Sequence, residues 1–193
     1  MNRMPAATLS AVSLFAAMTA VGAFIKIPLP YVPFTLQILF TYLAGSLLGS
    51  KKGSASQLLY VGIGLAGIPV FTNGAGFGYI FQPTFGYLIG FILGAYTVGF
   101  FLEKIKDPKA NAFIIANMLG LLVVYACGVP YLYMALNTWM NAPASLSHVL
   151  MIGFVYSLPG DILLAVSAGY LAKRLYPVFR KNRTQSPTLS QNM

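Results

Sequence analysis

The chain has 193 residues, 58% of them hydrophobic and 8% charged, where an ordinary soluble domain carries about 25% charged residues. So little charge cannot coat a soluble fold of this length, which excludes a cytosolic globular enzyme and a disordered chain, and the single cysteine, Cys127, excludes a disulfide scaffold. The basic excess, 12 Lys and Arg against 3 Asp and Glu for a formal net charge of +9, would suggest nucleic acid in a soluble protein; here the charges fall between apolar runs and read as a topology signal, with no nucleic acid expected.

A membrane-crossing helix takes roughly 20 mostly apolar residues. Six such runs are predicted, at about 6–24, 36–49, 55–68, 85–102, 112–133 and 160–175, which makes the fold class an all-α membrane protein with six transmembrane helices. The first follows Arg3 and is long enough to span, so it reads as a retained span rather than a cleaved leader. It carries a stripe of small residues, Ala7 and Ala11, then Ser13 and Ala17, suited to packing inside the bundle or docking a partner helix. The second and third runs are short. Gly45, Gly49 and Gly53 form one four-residue ladder and Gly86, Gly90 and Gly94 another, both expected to bring helix backbones close within the bundle. Asn117, in the fifth run, is expected to hydrogen-bond between helices. With the N-terminus in the cytoplasm, eleven of the twelve basic residues fall inside and Lys26 alone falls outside, so both termini are expected to be cytoplasmic in a cell (inner or plasma) membrane. Residues 1–176 then form one membrane domain in the lipid bilayer. Residues 177–193 form a polar tail, expected to be disordered.

Irregular backbone cannot face lipid; it survives only buried in protein or lining a cavity. Three stretches break the helical pattern: 27–35, with Pro28, Pro30 and Pro33; 67–84, with four glycines, Pro69 and Pro83; and 157–161, reading Ser-Leu-Pro-Gly-Asp. All three fall on the predicted outer side. Residues 67–87 carry no charge and six aromatic rings, among them Phe71 and Tyr87. Apolar walls with a few placed polar groups describe a small-molecule pocket, and Thr35, Gln37, Thr72, Asn73, Gln82 and Thr84 are the polar groups available. An interfacial aromatic belt is the other reading of these rings. Asp161 is the lone carboxylate outside the inner loop that holds Glu103 and Asp107. Pro159 suits the first helical position and so places Asp161 in a first turn. A carboxylate accepts two hydrogen bonds at once and suits a ligand with two parallel N–H donors. His148 reads as interfacial, on a short amphipathic stretch over 146–156. Lys26 reads as snorkelling to the surface or meeting an anionic ligand.

Ile-Pro-Leu-Pro-Tyr-Val-Pro-Phe-Thr-Leu-Gln at 27–37 resembles the signature of the BioY family, the biotin-binding substrate-specificity (S) components of energy-coupling factor (ECF) transporters. The resemblance continues through Leu-Ala-Gly-Ser-Leu-Leu-Gly at 43–49, Gly-Leu-Ala-Gly-Ile-Pro-Val-Phe at 64–71, Pro-Thr-Phe-Gly-Tyr-Leu-Ile-Gly-Phe at 83–91 and Leu-Pro-Gly-Asp at 158–161, and covers about 11–176. It implies a six-helix S-component fold and capture of biotin from outside. It implies Asp161 as the acceptor for the ureido ring, and the loop from Phe71 to Gly74 and Tyr87 as further pocket positions, with Asn73 the polar contact. Many relatives carry a Lys three residues after that Asp; here the position is Leu164. Asp161 then needs another partner, for which the ligand's N–H groups, Asn73, Thr84, backbone amides and Lys26 are the candidates.

The chain has no Gly-rich loop ending in Gly-Lys-Ser/Thr, so it binds no ATP itself and no other cofactor or metal is expected. The resemblance implies that energy comes from a transmembrane coupling subunit and two cytoplasmic ATPases, with the Ala7/Ala11 and Ser13/Ala17 stripe as the docking surface. No catalytic residue is expected. Uptake or export of another small vitamin-like solute is the alternative. An intramembrane enzyme would have only Asp161, His148 and Cys127 to work with.

Overall fold

The structure is a computed structural model that describes residues 6–184, with side chains up to Phe179. Arg3, the predicted tail beyond 184 and the side chains of Arg180, Lys181 and Arg183 lie outside the described residues. Six principal helices form the bundle. The first, α1 (Ala6–Phe24), coincides with the predicted run. It leads into a two-stranded hairpin, β1 (Lys26–Ile27) antiparallel to β2 (Phe34–Thr35), with Lys26 opposite Thr35. Pro28, Pro30 and Pro33 sit between the strands, where the missing N–H groups cost no ladder bond.

Helices α2 (Gln37–Leu48) and α3 (Ser50–Leu65) are joined by Gly49 alone. Its φ of +86° is open to glycine and strained for any other residue. The start of α3 corrects the predicted third span: the helix begins at 50, not 55, and Lys51 and Lys52 lie in its first turn. The reason is a cap supplied from elsewhere. Glu103 accepts from the Ser50 backbone N–H and from the Ser50 hydroxyl, each at 2.8 Å, which satisfies an orphan donor at the helix start and places a negative charge at its positive pole.

A 3₁₀ turn (Phe77–Phe81) precedes α4 (Phe85–Glu103), which is followed by α5 (Ala110–Thr138), a short α6 (Leu146–Leu150), a π-helical turn (Met151–Val155) and α7 (Leu158–Thr184). Helix α7 runs past the predicted end at 175, through Pro177, so the helix does not stop at the predicted domain boundary. It starts at Leu158, which makes Pro159 the second helical residue instead of the first. Four stretches are long and apolar enough to cross a membrane: Ala6–Phe24, Phe85–Glu103, Ala110–Thr138 and Leu146–Phe179. At about 1.5 Å per residue, α2 and α3 reach only about 18 and 24 Å, less than a bilayer core, and act as a short hairpin within the bundle.

The glycine ladders do pack helices together. A Cβ at Gly90 would lie 2.8 Å from the Val124 Cα, one at Gly94 3.2 Å from the Gly120 carbonyl oxygen, and one at Gly45 2.5 Å from that of Ala95. Each contact joins α4 to α5 or α2. Asn117 bonds across helices as expected, its Nδ2 donating to the Ala165 carbonyl at 2.8 Å. The core of α1, α2 and α3 also holds a polar seam: the Thr41 hydroxyl donates to Gln57 Oε1 and Gln57 Nε2 to the Thr19 hydroxyl, each at 3.1 Å.

Candidate ligand-binding site

The helix ends that carry the irregular segments surround a cavity whose empty space, counted with the part open to solvent, is about 570 Å³. Its helical side comprises Ile38, Leu88, Phe91 and Val124 as apolar wall, with Tyr87, Tyr125, Ser157 and Asp161 as polar groups. The other side is the hairpin segment 32–35, together with Thr72 and Tyr79 from the glycine-rich loop and Thr84 at the start of α4.

Asp161 is buried near the start of α7, with 7% of its surface exposed. Its Oδ2 accepts from the Tyr125 hydroxyl. Among the described residues no other side chain bonds this carboxylate, and Oδ1 accepts no hydrogen bond from them. The Tyr125 ring is held edge-to-face by Phe154 at 4.8 Å and by Tyr87 at 6.3 Å. Tyr87 is fixed in turn by donating to the Gly153 carbonyl at 2.7 Å. The partner of Asp161 is thus a phenol on α5, and none of the protein groups the sequence offers. Leu164 is part-buried against the apolar core and does not line the cavity. Gly160 makes room for the Phe34 ring, which lies where a side chain would project.

The loop side is tied down by hydrogen bonds. Gln37 Oε1 accepts from the hydroxyls of Thr35 at 2.9 Å and Thr72 at 3.2 Å. Its Nε2 donates to the Tyr60 hydroxyl at 2.7 Å, which donates onward to the Val70 carbonyl at 3.1 Å. Lys26 is exposed and does not reach Asp161: its ammonium donates to the Thr72 carbonyl at 2.8 Å. On the far flank the Trp139 indole donates to the Phe81 carbonyl at 2.7 Å, and the Tyr131 hydroxyl to that of Ile80. Burial pushes the Tyr79 phenol up from its ordinary value, and hydrogen bonds to Thr84 and to the Asn73 backbone offset part of that rise. The phenol therefore stays protonated at the mouth.

Thr35, Gln37, Thr84, Tyr87 and Asp161 come together on the cavity wall as the sequence suggested. Phe71, Asn73 and Gly74 do not line it. Phe71 is 1% exposed, its ring seated against Gly64, edge-on to Tyr60 at 5.5 Å and tilted on Tyr79 at 4.4 Å. Phe71 and Gly74 pair across a tight turn, which Gly74 completes with a φ of +122°. The exposed Asn73 lies at its tip. These three anchor the loop, and the wall positions they set are Thr72 and Tyr79. Tyr79 is one of the six rings that the sequence offered as apolar wall; Tyr125 was missed, and Ser157 was named only as part of an irregular stretch. Neither His148, exposed at the end of α6, nor the half-buried Cys127 reaches the cavity.

On the outside of the bundle, Ser13 and Ala17 are exposed and border a shallow groove between α1 and α3 with Ala16, Ala20, Leu59 and Ile63. Ala7 is exposed and Ala11 half-buried on the same helix.

The family model described as the BioY family matches residues 1–181 of this chain. A relative from Lysinibacillus sphaericus, named as a probable biotin transporter BioY, is 57% identical over 172 residues, 89% of this chain and 88% of its own length. The chain belongs to the BioY family. A Thermotoga maritima relative named biotin transporter BioY is 39% identical over 84% of this chain and 91% of its own length. Among solved structures, the S-component for biotin from an ECF-type ABC transporter superposes with a TM-score of 0.78 at 28% identity, covering 91% of this chain and 95% of that one. The BioY relatives are named as transporters.

Proposed function

We propose that this chain captures biotin from the outer side of the cell membrane and delivers it inward with an ATP-driven ECF module, a transmembrane coupling subunit and two cytoplasmic ATPases. The observation that carries this reading is the Asp161 carboxylate, half engaged by Tyr125 and half open to an apolar, ring-lined cavity. A cyclic urea supplies the N–H donor that the open oxygen accepts, and the aromatic and aliphatic wall suits a thioether ring and an alkyl chain. The transporter names of the relatives and the fold of the solved biotin S-component support the same substrate. The basic clusters at the end of the bundle opposite the cavity support an outward-facing mouth, with both termini cytoplasmic.

Calorimetric titration of the detergent-purified chain with biotin tests the reading. Saturable one-to-one binding is expected, and an absence of binding with tight uptake of another vitamin overturns it. The groove at Ser13 and Ala17, extended by Ala7 and Ala11, is the docking surface in this reading, because small side chains let a partner helix approach closely. Ala17→Leu is expected to abolish co-purification with the coupling subunit while leaving biotin binding intact.

A further inference from the structure

We propose that Ser157 is a ligand contact, its hydroxyl donating to the carbonyl oxygen of the cyclic urea whose adjacent N–H is accepted by Asp161. The inference deepens the biotin reading and rests on it. Ser157 lines the same cavity as Asp161 and is 5% exposed, and its Oγ has no hydrogen-bond partner among the described residues. Buried polar groups without partners are few in native proteins, and each calls for a physical reason.

A serine just ahead of a helix ordinarily caps the N–H of the second or third helical residue. Here the second residue is Pro159, which has no N–H to offer, and the hydroxyl makes no bond to the N–H of the third, Gly160, so it stays unpaired. The Asp161 backbone N–H donates to the Ser157 carbonyl at 3.0 Å. The two residues are therefore one helical turn apart, with side chains on the same side and Cβ atoms about 5–6 Å from each other. A hydroxyl donor and a carboxylate acceptor at that spacing match the acceptor and donor along one O=C–N–H edge of a urea. Solutes that present only donors, or only acceptors, leave one of the two unpaired. A second orphan, the Tyr42 hydroxyl, is fully buried but does not line the cavity. Of the two, Ser157 is the residue that lines the cavity.

The test is calorimetric titration of the full-length wild type, Ser157→Ala and Ser157→Thr with biotin, alongside thermal unfolding of each without ligand. Ser157→Ala is expected to weaken biotin roughly 2- to 13-fold, the loss of about one hydrogen bond, without lowering the ligand-free melting temperature, because the alanine leaves no orphan behind. Ser157→Thr keeps the hydroxyl and is expected to bind close to wild type. Wild-type affinity in Ser157→Ala overturns the assignment. So does an equal loss in both variants, or a fall in ligand-free stability that accompanies the loss. Wild-type protein that binds no biotin defeats the substrate reading itself, and the contact with it.

Discussion

On the helical side of the cavity, Asp161, Tyr125 and Tyr87 are set by packing between α4, α5 and α7, with one ring wedged against the next. On the loop side, Thr72 and Tyr79 are set by a hydrogen-bond relay and by the seating of one ring, Phe71, on Gly64. A packed helix interface has few alternative arrangements, so the helical side is formed before the ligand arrives. Hydrogen bonds to loop backbone can open one at a time at about 0.5–1.5 kcal/mol each. On the proposed biotin reading, the helical side is expected to govern which ligand binds and how tightly, and the loop side how fast it enters and leaves.

The largest effect is expected at Asp161. Asp161→Asn turns one acceptor into a donor opposite the ligand's N–H and should cost about 1–3 kcal/mol of biotin affinity by titration, or about 5- to 150-fold. Unchanged binding would reduce Asp161 to a helix-end charge. Tyr125→Phe keeps the ring and removes the donor to the carboxylate. It should cost about 1–2 kcal/mol of affinity, the loss of a hydrogen bond to a charged group, and lower the ligand-free melting temperature.

The loop-side variants should act differently. Gln37→Leu frees both Thr72 and Tyr60. Amide exchange across 66–84 should rise in the ligand-free protein and biotin dissociation should quicken, with an equilibrium cost near 1 kcal/mol. Lys26→Ala removes one exposed bond and should show the smallest change, about 0.5 kcal/mol or less, detectable chiefly as a faster off-rate in stopped-flow. A larger equilibrium loss in Gln37→Leu than in Asp161→Asn would reverse the assignment of roles to the two sides.

The positions of the apolar helices and the place of the cavity were legible in the sequence because lipid imposes a local rule: apolar runs span, and irregular backbone has to line something. Asp161 stood out for a similar reason, as a lone acid beside an apolar run. The roles of the loop residues were not separable that way. Phe71 and Tyr79 are both aromatic residues of one uncharged loop, and only the seating of Phe71 on Gly64 makes the first an anchor and leaves the second on the wall. The family resemblance gave Asn73 and Gly74 as pocket positions; neither lines the cavity, and both belong to the tight turn that Phe71 and Gly74 close.

What the sequence determined by itself was everything that hydrophobicity, charge and backbone-breaking residues encode within a few neighbours: a membrane bundle, both edges of three of its six helices (α1, α2 and α4), and an uncharged aromatic segment near one acid. What the tertiary structure decided was pairing across long separations. Glu103 starts α3 from 53 residues away, Tyr125 meets Asp161 across 36, and Lys26 ties down Thr72 across 46. Hydrogen bonds and ring contacts depend on where helices cross, and nothing in the local pattern of either partner reports that crossing.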